Sequence, residues 1–84
     1  MPYTLKLESD REVLVAFEPT AAQFKLHAGA RITLQWDGSA EDGIVALDSG
    51  HLVVHAPTGG FTRAWDDAAG TEIYVGPESG PGAR

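Results

Sequence analysis

Eighty-four residues with twelve Asp and Glu against six Lys and Arg, a net charge of −6, make one small acidic domain. That balance argues against nucleic acid as a partner, because affinity there comes from basic side chains neutralising phosphates. No cysteine is present, which excludes disulfide staples and thiolate metal sites, and no apolar run approaches the ~20 residues of a membrane helix.

The start, Met1-Pro2-Tyr3-Thr4, has neither a basic stretch nor an apolar core, so no signal peptide is expected and a cytoplasmic location is the default. From there the apolar period is two almost throughout. Tyr3, Leu5 and Leu7 alternate with Thr4, Lys6 and Glu8. Val13, Val15 and Phe17 share a face, as do Phe24 and Leu26 in "QFKLH". Ile32, Leu34 and Trp36 follow the same rule. Such segments read as half-buried strands, apolar side inward. "GIVALD" and "HLVVHA" are denser runs that suit core strands, and residues 61–65 and 71–75 complete the set.

Breaks fall at Ser9-Asp10, Pro19, Ala28-Gly29, Asp37-Gly38, Ser49-Gly50, Pro57 with Gly59-Gly60, and Gly70. Short strands punctuated every eight to twelve residues predict an all-β fold, a small antiparallel β-sandwich or flattened barrel of about seven to eight strands. "Ser-Asp-Arg" and "Asp-Ser-Gly" both read as tight hairpin turns, and "PTAAQF" as a single turn. The domain is expected over residues 1–76, with the Gly- and Pro-rich residues 77–84 as a flexible tail.

Residues 17–38, "FEPTAAQFKLHAGARITLQWDG", resemble the strand–"EP"–strand–"L..G"–strand pattern of short uncharacterised all-β proteins from high-GC bacteria. The likeness covers about a quarter of the chain and rests on hydrophobic spacing, Pro19 and Gly29. It implies an all-β fold and carries no activity. The composition, without Asn and rich in Ala, Gly and Asp, also suits a high-GC bacterial origin.

His51 and His55 are the first candidates for chemistry. On a helix, a spacing of four clamps one metal ion. In a strand it spans about 13 Å, too far for both nitrogens to reach an ion that needs them at about 2.0–2.1 Å. No metal site is therefore expected there, although either ring, or His27, leaves room for a partner on a neighbouring strand. The His-x-His of a cupin is absent.

Phe61, Arg63 and Trp65 are the sharper candidates, since a strand points all three to one side. Facing the core, Arg63 would have to be paired or reach out to water. Facing solvent, the stripe has the composition of an interface hot spot. At a sheet edge, Arg63 would lie across an aromatic ring with its head wet, which is the arrangement preferred. Trp36 is in phase with Ile32 and Leu34 and reads as a core anchor, but with Trp65 and Tyr74 it also offers a conceivable sugar platform.

The acidic pairs Glu41-Asp42 and Asp66-Asp67 read as solvated turn residues, and "WDDAAGTE" lacks the calcium-loop rhythm. No nucleophile-and-base constellation, phosphate loop or nucleophile elbow is present, so neither a catalytic residue nor a cofactor is expected. What remains is a non-enzymatic protein-binding or accessory module, its partner another protein or a second copy of itself, with neither nucleic acid nor membrane as partner. The rival is a small-ligand or carbohydrate-binding sandwich.

Overall fold

A strand with one greasy side must lay that side against another element, and these strands satisfy one another by stacking face to face. The computed structural model describes residues 3–18, 20–37 and 41–76. Pro19, Gly38 and the expected tail 77–84 lie outside them. Within the described residues there are eight strands: β1 (Tyr3–Glu8), β2 (Val13–Glu18), β3 (Ala22–Leu26), β4 (Arg31–Trp36), β5 (Ile44–Asp48), β6 (His51–His55), β7 (Thr62–Asp66) and β8 (Thr71–Ile73).

They form two four-stranded sheets, ordered β1-β4-β7-β8 and β3-β2-β6-β5. The sheets do not close into a barrel, so the sandwich is the form adopted. Five of the six pairings are antiparallel; β2 and β6 run parallel, with Val15 beside Leu52 and Phe17 beside Val54.

The two expected hairpin turns part ways. Asp48-Ser49-Gly50 does close the β5–β6 hairpin, with Ser49 at φ 53° and Gly50 at φ 82°. Two successive positive φ values are the backbone of the turn that matches strand twist. Ser9-Asp10-Arg11, by contrast, carries the chain from one sheet to the other, because β1 and β2 never pair. Its reversal is held by the Arg11 amide donating to Ser9 Oγ (3.2 Å) and the Gly29 amide donating to the Ser9 carbonyl (2.8 Å). Turn residues specify a reversal; they do not say whether the strands then meet edge to edge or face to face.

The core is Val15, Phe17, Leu26, Ile32, Leu34, Trp36, Val54, Ala64, Ile73 and Val75, drawn from both sheets. Each large side chain buried this fully contributes about 1.5–3 kcal/mol of transfer free energy. Trp36 is its most elaborately held member, only 4% exposed. Its Nε1 donates to Thr62 Oγ1 at 2.8 Å, and Tyr3 stacks on it with centroids 6.0 Å apart and planes 16° apart. Gly43 sits directly against the ring, where any side chain would collide.

Candidate functional site

Because Thr62 and Ala64 turn into the core, β7 must present Arg63 and Trp65 on the outer face of its sheet. The register sets their neighbours: Gln35 lies beside Arg63 and Thr33 beside Trp65 on β4, while Glu72 lies beside Trp65 on β8. Arg63 Nε and Nη2 each donate to Glu72, to Oε2 and Oε1, both at 2.8 Å. The same guanidinium lies over the Trp65 ring, 5.1 Å from its centroid. This is the fork-on-carboxylate geometry peculiar to arginine, combined with a cation–π contact. The bond to Glu72 holds the Arg63 pKa above its ordinary value.

Arg63 and Trp65 thus face outward, with the guanidinium laid across the ring. β7 is nonetheless not an edge strand, since β4 and β8 flank it. Short β8, three residues long, leaves the face accessible from that side. Phe61 precedes β7 and lies apart from the pair: it lines a cleft of about 290 Å³ with Phe17, Thr20 and Val75. Tyr74, 62% exposed, follows β8 and lines a cleft with Gln23 and Phe24.

Glu72 was not among the residues the sequence singled out. The signal lay in the turn: Asp67 to Gly70 closes the β7–β8 hairpin with Gly70 at φ 71°, and that loop length pairs Trp65 with Glu72. Asp66 shapes the same turn, accepting from the amides of Ala68 (3.1 Å) and Ala69 (3.4 Å).

Farther along this face the charges are paired in rows. Arg31 donates to Glu8 at 2.8 Å. Lys6 donates to Thr33 Oγ1 (2.7 Å) and Asp67 Oδ2 (3.2 Å), and the Thr33 hydroxyl donates to Asp67 Oδ1 at 2.6 Å. The hydroxyl bond first, and Lys6 next, hold the Asp67 carboxyl below its ordinary pKa of 3.8. Asp42 is lowered likewise by the hydroxyl and amide of Thr58. A carboxyl depressed in the folded state adds stability above its unfolded pKa and loses it as pH falls through the folded value. The expected outcome is that Asp67→Asn melts below the native chain at neutral pH and that the gap closes on acidification below about pH 4. Melting curves from pH 7 to pH 2 check it; a gap unchanged by pH would contradict the assignment.

The histidines stay apart. His51 and His55 are exposed on the outer face of the second sheet, opposite Leu52 and Val54, with Asp48 and Glu18 as their respective register neighbours. His27 lies beyond the end of β3, its Nδ1 3.5 Å from Glu12 Oε1, and β2 stands between β3 and β6. Among the described residues no group of three or more His, Asp or Glu is placed to hold a metal ion. A shallow groove of about 750 Å³ runs over Ala46 and Val53 between Glu18, Asp48 and His55. It is open to solvent and contains no buried charged group. Trp36 is enclosed in the core and so is lost to any sugar platform with Trp65 and Tyr74. Among the described residues, no helix is long and apolar enough to cross a membrane.

Comparison with protein-family models, with curated proteins and with solved structures returns no match.

Proposed function

We propose that this chain is a non-enzymatic binding or accessory module of the bacterial cytoplasm, and that it engages another protein through the outer face of β4, β7 and β8. The observation that carries this reading is the Arg63 guanidinium, clamped by Glu72 and lying on Trp65. Arg and Trp are the residue types in which interface energy concentrates. Here both are immobilised before any partner arrives, so little side-chain entropy remains to be lost on contact. A net charge of −6 turns the module toward a basic partner and away from nucleic acid. The reading uses no cofactor and no membrane.

The carbohydrate reading has lost one of its three rings with Trp36 and keeps Trp65 and Tyr74 alone. Affinity capture from the native host separates the two. Trp65→Ala, at a half-exposed position, is expected to weaken capture about 30-fold, the ~2 kcal/mol of a hot-spot residue, with melting nearly unchanged. Capture that survives both Trp65→Ala and Arg63→Ala would contradict the proposal. Protection of Trp65 fluorescence from acrylamide by a free sugar would favour the rival.

A further inference from the structure

Four strands end the two sheets: β1 and β8 in one, β3 and β5 in the other. An open edge offers unpaired backbone groups to any passing chain, and proteins usually guard it with charge or brevity. β1 carries Lys6 and Glu8, β3 carries Lys25, and β8 is three residues long with Glu72 at its middle. β5, Ile-Val-Ala-Leu-Asp, has no charge until its last residue. It also carries two of the most exposed aliphatic side chains among the described residues, Leu47 at 74% and Ile44 at 53%. Leu47 points to the core side of the sheet, as its partner Leu52 does, yet it overhangs an open cleft of about 470 Å³ that it lines with Val13 and Leu52.

We propose that β5 is a self-association edge, where a second copy of this chain pairs antiparallel with it about a two-fold axis through Ala46. This goes beyond the protein-binding reading, on a surface separate from Arg63 and Trp65. The backbone selects the register. Asp48 and His51 close a two-residue turn and are bonded to each other, so Asp48, Ala46 and Ile44 direct their N–H and C=O groups at β6. Val45 and Leu47 therefore direct theirs outward. Pairing about Ala46 sets Val45 opposite Leu47 of the second copy and Leu47 opposite its Val45, four new backbone bonds with aliphatic side chains meeting on the core side.

Charge selects the same register. It leaves the two Asp48 carboxylates about 13 Å apart along the strands, beyond the ~8 Å screening length at physiological salt. Sliding the strands four positions would bring them directly opposite. The contact is isologous and uses up the edge, so it stops at two copies. Five residues a side bury less than the ~1,200 Å² of a standard stable interface, so the expected dimer is a weak one.

Sedimentation equilibrium of the full chain from about 10 μM to about 1 mM tests this. The expected mass climbs toward twice the monomer and no further. Leu47→Lys, at a mostly exposed position, is expected to raise the dissociation constant about tenfold or more, while Trp65→Ala leaves it unchanged. In the unmodified chain, amide exchange at Val45 and Leu47 should slow as concentration rises, a readout that needs no variant. A monomer at every concentration overturns the β5 contact, and so do species larger than a dimer. A dimer indifferent to Leu47→Lys, or abolished by Trp65→Ala, overturns it too. None of these touches capture through Trp65; capture that survives both Trp65→Ala and Arg63→Ala, with the dimer intact, would instead remove the wider reading.

Discussion

Replacing Trp36 with alanine is expected to lower the unfolding free energy by about 3–5 kcal/mol. Against a total of about 5–15 kcal/mol for a single domain, that removes a large share of the stability. The loss has three parts. The indole is the largest side chain in the core and only 4% exposed. Its N–H is the donor that satisfies the buried Thr62 hydroxyl, and Tyr3 loses the surface on which it stacks. Trp36→Phe keeps an aromatic ring against Tyr3 but trims the indole and leaves Thr62 without that donor, and is expected to cost less, about 1–3 kcal/mol. Urea unfolding of the two variants checks both values. A Trp36→Ala midpoint close to the native one would mean the ring is not the anchor described.

The second large effect comes from the other side of the same ring. An alanine Cβ at position 43 would stand 2.5–2.8 Å from three carbon atoms of the Trp36 indole. The ring cannot retreat, because Tyr3 and Thr62 hold it. Gly43→Ala should therefore cost about 1–3 kcal/mol, the range for overpacking. In a chain already carrying Trp36→Ala the obstacle is gone, and the same substitution should cost almost nothing. A double-mutant cycle measures this directly, and strictly additive losses would contradict the contact.

Much of the fold was legible because side-chain alternation is a local signal that burial enforces. Val15 and Phe17, or Ile32, Leu34 and Trp36, can all be placed inside from spacing alone, and all are buried. The outward placement of His51 and His55 follows from the same parity. What could not be read was which strand lies beside which. β2 pairs in parallel with β6, some forty residues away in the chain, and no local pattern encodes that neighbour. The reversal at Ser9 looked like a hairpin for the same reason. At the candidate site, Arg63 and Trp65 were visible as a stripe, but Glu72 was not, because its role depends on the β7–β8 register. The expectation of a sheet edge failed by one short strand, β8.

Everything depends on which side of β7 turns inward. The chain has two tryptophans, so a proton–nitrogen correlation spectrum shows two indole N–H signals. After transfer to deuterated water, the signal of Trp36, bonded to Thr62 inside the core, should persist, and that of Trp65 should vanish at once. Protection of Trp65, or rapid loss of both signals, would mean that the aromatic stripe is not the exposed surface described.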